Sequence, residues 1–220
     1  MKVTRVSRTV PEWNLIEEGV QTPSDLIAFC ARVSNPNNQL NTDTANRLLR
    51  FLIENKHWSP LEMVDVTYEI ETTRDIARQI LRHRSFVFQE FSQRYAEVVD
   101  WEKSEPRMQH PTNRQSSIPV IDEDLYVWWD NEQERAWNVC EGIYKRALQK
   151  GIAKEVARKV LPEGLAVSRL YMKGSLRSWI HYCQLRSHEA TQDEHQVIAI
   201  QIAKDIAEVF PMAEEHMKPE

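Results

Sequence analysis

Residues 78–95 run Arg-Gln-Ile-Leu-Arg-His-Arg-Ser-Phe-Val-Phe-Gln-Glu-Phe-Ser-Gln-Arg-Tyr. Arg78 and Arg82 are one helical turn apart, so both can lie on one face. Arg82, His83 and Arg84 then follow in a row, and such a triplet needs either solvent or an anion. The planar guanidinium fork suits phosphate bidentately. The competing explanation is a helix C-terminus complemented by cations. Charge distribution leaves two readings open, two solvated helical faces or an anion site made by two separated segments. Residues 74–94 hold five cationic and two anionic side chains, net +3, and residues 145–186 hold ten and two, net +8, in a chain of formal net charge −5. Two basic islands in an acidic protein fit a local site built from separated segments rather than a general nucleic-acid surface.

Glycine usage narrows the chemistry further. There are 5 glycines, at 19, 142, 151, 164 and 174, where average usage is roughly 7%. No GxGxxG or GxxxxGK[ST] loop exists, so a nucleotide would have to be held by side chains. Cys30, Cys140 and Cys183 are far apart and odd in number, which suits a reducing compartment, with cytoplasmic as the default. No apolar run reaches the ~18 residues of a membrane span. Metal binding has weak support. His181, His188 and His195 recur every seven residues, and His188-Glu189-Ala190-Thr191-Gln192 falls one histidine short of HExxH. A nucleic-acid binder using tryptophan stacking is disfavoured, because Trp128, Trp129 and Trp137 sit in an acidic stretch.

The elements that must position these residues read as α+β. Strands are expected at 2–10, 64–71 and 165–173. In the second, Val64, Val66, Tyr68 and Ile70 alternate with polar residues. Helices are expected from a Thr22–Asp25 capping box to about 33, over 43–56 with Leu48, Leu49, Phe51 and Leu52 as the apolar stripe, and from about 73. Further helices are expected at 125–149 and 152–160, from the Ser175 cap to about 187, and on to Phe210. Residues 101–124 are polar and weakly periodic and read as a long surface insertion.

Arg82-His83-Arg84, seven residues and Ser92, with Glu90 and Arg94, resembles the signature of the flavin-dependent thymidylate synthases. Val87 stands where that pattern has serine, and Gln89 where it has asparagine. His57-Trp58-Ser59-Pro60-Leu61-Glu62, Ala31-Arg32-Val33-Ser34, Ala157-Arg158-Lys159-Val160-Leu161-Pro162 and Ser175-Leu176-Arg177 through Leu185-Arg186 are similar to further segments of the family. The resemblance implies a single domain spanning 1–220, with a mainly antiparallel sheet packed against several helices, assembled as a homotetramer with active sites between subunits. It implies reductive methylation of dUMP to dTMP, with methylenetetrahydrofolate as carbon donor, FAD as cofactor and NADPH as reductant. No cysteine nucleophile, nucleic acid, membrane or metal is expected. By position, Ser59, Arg82, His83, Arg84, Glu90, Ser175, Leu176, Arg177 and His181 would hold FAD. Gln79, Ile80, Leu81, Arg82, Glu90, Phe91, Ser92, Gln93, Arg94, Arg158 and Arg186 would hold dUMP, with Arg186 catalytic. Helix geometry adds one condition. Arg186 is nine residues from Arg177, half a turn out of phase at about 100° per residue. The two arginines therefore serve different ligands or different active sites.

Overall fold

The computed structural model describes residues 1–98 and 100–218. In chain order the elements are β1 (Lys2–Arg8), α1 (Trp13–Glu17), α2 (Pro23–Ala31), α3 (Ala45–Glu54), β2 (Asp65–Thr73), α4 (Arg74–Ile80) and β3 (Val87–Glu90). There follow β4 (Arg107–Gln109), β5 (Ser117–Pro119), α5 (Glu123–Gln149), α6 (Lys154–Ala157), β6 (Val167–Ser175), α7 (Leu176–Arg186) and α8 (Asp193–Val209). Short 3-10 turns cover Ser59–Met63, Arg158–Val160 and Pro211–Met217.

Local chemistry sets the helix ends. Thr22 Oγ accepts from the Asp25 N–H at 3.1 Å, and Asp25 returns the bond to the Thr22 N–H at 2.9 Å, a reciprocal capping box. Ser175 caps α7 by accepting from the Ser178 N–H. Pro60 ends the approach to β2 in a 3-10 turn instead of a longer helix.

The main sheet has strand order β1-β2-β6-β3, with every pairing antiparallel. β2 pairs along its whole length with β6, from Asp65 opposite Ser175 to Thr73 opposite Val167. β3 pairs Val87 with Lys173 and Glu90 with Leu170. Val66, Tyr68, Ile70, Leu170 and Met172 point to one buried face, under α2, α3, α4, α7 and α8. Two polar contacts lock this layer. The Tyr68 hydroxyl donates to Asp205 at 2.5 Å, and the Trp179 indole N–H donates to the Val66 carbonyl at 3.1 Å. A second cluster, including Trp137, Tyr144, Leu161 and Leu165, lies under α5.

Two local expectations are corrected, and the 101–124 surface segment gains detail. Phe51 is 51% exposed, and Ile53 takes its place in the core, because α3 buries the face through Ala45, Leu49, Leu52 and Ile53. The expected 152–160 helix is one α turn followed by a 3-10 turn, since Pro162 lies too close for a longer ladder. Residues 101–124 contain the β4–β5 hairpin and are tied down. Trp101 stacks on Trp137 with centroids 5.5 Å apart, Ser104 exchanges hydrogen bonds with Gln133, and Arg107 pairs with Asp193. Among the described residues no helix is long and apolar enough to cross a membrane.

Candidate active site

The Arg82-His83-Arg84 triplet occupies the turn between α4 and β3. Ile76, Ala77 and Ile80 anchor α4 in the core, and the backbone closes over them through the His83 N–H to the Ile80 carbonyl at 3.1 Å. Arg82 and Arg84 are left exposed, while His83 turns inward and is half-buried. Its ring meets Tyr182 edge-on, centroids 4.9 Å apart. Arg186, at the end of α7, donates from Nε to His83 Nε2 at 2.9 Å. Burial, reinforced by the charges of Arg186 and Arg82, lowers the His83 pKa to about 4. The ring is therefore neutral at pH 7, which is the state that can accept from Arg186.

The start of α7 faces a cleft of about 440 Å³ walled by Glu62, Ser85, Val87, Gly174, Ser175, Arg177, Ser178 and His181, among others. Ser178 Oγ donates to the Ser85 carbonyl at 3.2 Å and so ties α7 to the arginine turn. Arg177 pairs with Glu62. His181 lies edge-on to Trp58 at 4.5 Å, and burial followed by the Arg177 charge lowers its pKa. A second cleft of about 440 Å³ is lined by His181, Gln184, Leu185, Arg186, His188 and Thr191. His181 thus borders both clefts, while Arg177 faces one and Arg186 the other. That is the separation the helical phase requires. Ser59 is exposed on the turn before β2. Ile80 and Leu176 are 0% exposed and Leu81 is packed against the core, so at Ile80 and Leu176 only backbone can meet a ligand.

The remaining expected residues gather elsewhere. Glu90 Oε1 accepts from Ser168 Oγ at 2.9 Å and lies 3.8 Å from Arg74. The Phe91 N–H donates to the Arg169 carbonyl and extends the β3–β6 pairing. The Arg94 N–H donates to Ser92 Oγ at 3.4 Å, and no base contacts that oxygen among the described residues. Arg94 pairs with Glu155 at 3.1 Å. A cleft of about 390 Å³ is lined by Arg74, Arg78, Gln93, Arg158, Lys159, Leu161 and Glu163. Arg78 pairs there with Glu163 at 2.5 Å. Gln93 is 3% exposed, and its Nε2 has no hydrogen-bond partner among the described residues. Such an orphaned donor is costly unless something arrives to accept from it. Arg82, Arg84, Arg158 and Arg186 form no ion pair with a carboxylate among the described residues, unlike Arg78, Arg94 and Arg177.

Tyr182 is a neighbour of the site that local sequence reading does not mark, and Trp58 and Gln192 stand out in the sequence only as members of longer segments. In the sequence His195 stands out only through a seven-residue histidine spacing. That spacing does not survive folding. His181 is on α7, His195 on α8, and His188 in the turn between them. Among the described residues no group of three or more metal-ligating side chains converges.

A family model described as thymidylate synthase complementing protein matches residues 14–212. A Synechocystis protein named flavin-dependent thymidylate synthase is 49% identical over 211 residues, covering 96% of each chain. A protein of Paramecium bursaria Chlorella virus 1, named probable flavin-dependent thymidylate synthase, is 46% identical over 96% of this chain and 94% of its own. The crystal structure of the UMP/dUMP methylase PolB of Streptomyces cacaoi, bound with 5-Br dUMP, superposes with a TM-score of 0.81. Its identity is 25%, covering 98% of this chain and 93% of that one.

Proposed function

The chain belongs to the flavin-dependent thymidylate synthase family, and from that premise we propose how its residues divide the reductive methylation of dUMP. The carrying observation is a set of arginines without carboxylate partners: Arg82 and Arg84 exposed on the turn after α4, Arg186 lining one cleft, and Arg158 lining another that also holds the orphaned Gln93 donor.

The cleft at the start of α7 fits a flavin dinucleotide by its donor set. Arg177, Ser175 and His181 line it; Arg82 and Arg84 on the turn that leads into its Ser85 wall would add guanidinium forks for a pyrophosphate, and Ser59 and the Leu176 backbone would complete the site. When bound and reduced by NADPH, FAD supplies the electrons of the methylation, and methylenetetrahydrofolate is the carbon donor. Arg186 acts on dUMP. Its Nε is committed to His83, which leaves its two terminal NH₂ groups for the pyrimidine. A fixed guanidinium beside N3 and O4 favours negative charge on the ring and makes carbon 5 more nucleophilic. Arg94, Arg158 and the Gln93 amide suit the nucleotide phosphate. Ser92 binds rather than attacks, for want of a base. Cys183 is fully buried, and burial pushes its thiol pKa up, which supports a reaction without a cysteine nucleophile.

Arg186 and Arg158 line different clefts of one chain. This supports a homotetramer in which one subunit supplies the Arg82–His83–Arg186 half of a site and another the Glu90–Arg94–Arg158 half. Because Arg186 contacts His83 of its own chain, the informative mixture is Arg158→Ala with Arg186→Ala. Each alone should be inactive, and co-expressed chains should regain part of the activity. Folded mixed oligomers with no recovery would exclude sharing. The unpaired cysteines are in keeping with a cytoplasmic enzyme.

The assignment is tested with purified protein, NADPH, methylenetetrahydrofolate and dUMP tritiated at carbon 5. The expected result is yellow protein that forms dTMP and releases tritium. Flavin-loaded protein that releases no tritium under any reductant would overturn the assignment.

A further inference from the structure

Tyr182, His195 and Gln79 form a hydrogen-bonded file directly behind His83. The two rings are sealed, with His195 0% and Tyr182 1% exposed. His195 Nε2 lies 3.0 Å from the Tyr182 hydroxyl, and His195 Nδ1 lies 3.3 Å from Gln79 Oε1. Gln79 Nε2 donates to Gln192 Oε1 at 2.6 Å. The direction of the file follows from the Gln79 amide as placed, with Oε1 toward His195 and Nε2 toward Gln192. Gln79 Oε1 only accepts, so Nδ1 of His195 carries the proton. Nε2 of the neutral ring then accepts, and the Tyr182 hydroxyl donates. Burial, then the Arg186 charge, hold the His195 pKa near 3, so the ring is neutral at pH 7. A buried histidine satisfied at both nitrogens is more specific than core filling requires, since an apolar side chain would fill the same space at lower desolvation cost.

We infer that His195 is a positioning residue that pins the Gln79 amide with its NH₂ group outward, so that Gln79 presents a donor to an oxygen of the nucleotide. One amide hydrogen is spent on Gln192, and no group among the described residues takes the second. An unpinned glutamine amide can turn over and offer its oxygen instead, a misorientation that binding would have to reverse. Pinning removes that cost before the ligand arrives. The inference rests on the reading of Gln79 as a dUMP contact.

The test compares two substitutions that both leave an amide in the core. His195→Asn keeps an N–H close to the place of Nδ1 and loses the Tyr182 contact. His195→Gln carries its amide toward the place of Nε2 and loses the Gln79 contact. Titration of the flavin-loaded enzyme with dUMP should show His195→Gln weakened about three- to tenfold, the scale of one oriented neutral hydrogen bond. The loss should appear in KM for dUMP rather than in kcat, with flavin content unchanged. His195→Asn should stay within about twofold of wild type on the same scale. In a Gln79→Leu background the two variants should bind dUMP alike, because the path through which they differ is gone. Equal affinity of the two variants in the otherwise wild-type chain, or a gap that persists in Gln79→Leu, overturns the positioning role. If the His195 variants do not accumulate as folded protein, Tyr182→Phe decides. Without the hydroxyl donor the imidazole, unlike the asparagine amide, can shift its proton from Nδ1 to Nε2 and release Gln79, so a Gln79-dependent rise in KM is expected there, and an unchanged KM overturns the inference. A wild-type enzyme that fails to bind dUMP would instead refute the reading on which the inference rests.

Discussion

Gly174 tests how tightly the arginine turn is held. It sits on the inward face of β6, opposite Val66 and one residue before the Ser175 cap. A Cβ there would lie 2.4 and 2.5 Å from Cδ1 and Cε1 of Phe86, and 3.3 Å from Cβ of Ser178. Carbon atoms in contact sit about 3.5–4.0 Å apart, so the ring would have to withdraw by about 1 Å. It has little room to do so. Phe86 is 8% exposed and packs on Trp179 at 4.6 Å, Tyr182 at 5.8 Å and His83 at 6.4 Å between centroids. Overpacking of this kind costs about 1–3 kcal/mol, and the boxed ring places Gly174→Ala in the upper half of that range. For a chain of this length the melting temperature should fall by about 4–12 °C. Displacing Phe86 also moves the wall behind His83, so the purified variant should carry less flavin per chain. Thermal melts and the flavin absorbance per polypeptide measure both effects. Adding Phe86→Leu should recover about 1 kcal/mol or more, because the smaller side chain relieves the same clash. A Gly174→Ala protein that melts with wild type, or a double variant showing no recovery, would refute this account of the contact.

Three further outcomes are expected. Arg186→Ala should keep its flavin and lose about a hundredfold or more in turnover, as for removal of a preorganised charge-stabilising donor; a variant purified without flavin would move Arg186 to the cofactor site. Gln93→Met removes the orphaned buried donor, so the ligand-free protein should gain roughly 1 kcal/mol while dUMP affinity falls; lower stability with unchanged dUMP binding would count against it. His83 is held near 4 and His195 near 3, both below the roughly 6.5 of the unfolded chain. The unfolded state then binds more protons below that value, so the contribution of both histidines is full above about pH 6.5 and is lost as pH falls toward 4 and 3. Urea midpoints should drop across this window, less steeply in His195→Asn, and equal slopes for the two proteins would refute the assignment.

Much of this protein is local enough to read along the chain. The Thr22–Asp25 box, the Ser175 cap and the alternation of Val66, Tyr68 and Ile70 are interactions or periodicities within a few residues, and the structure holds each of them. The arginine-histidine-arginine turn is equally local. The misplaced Phe51 shows the limit. Which stripe of a short helix is buried depends on where its neighbours lie, and four apolar residues in five positions leave that choice open.

Composition and spacing by themselves determined that no glycine-rich phosphate loop is present and which segments carry the arginines. Only the tertiary structure decided what those arginines face. The order β1-β2-β6-β3 sets β3 beside β6, and α7 follows directly from β6. That route brings Arg186 onto His83, 103 residues away, and packing α8 against α7 brings His195 onto Tyr182 and Gln79. It also sets Arg158 in a cleft apart from Arg186. Such contacts depend on strand order and helix docking, which short-range propensities do not encode, and a seven-residue histidine spacing loses its meaning once a turn divides it between two helices.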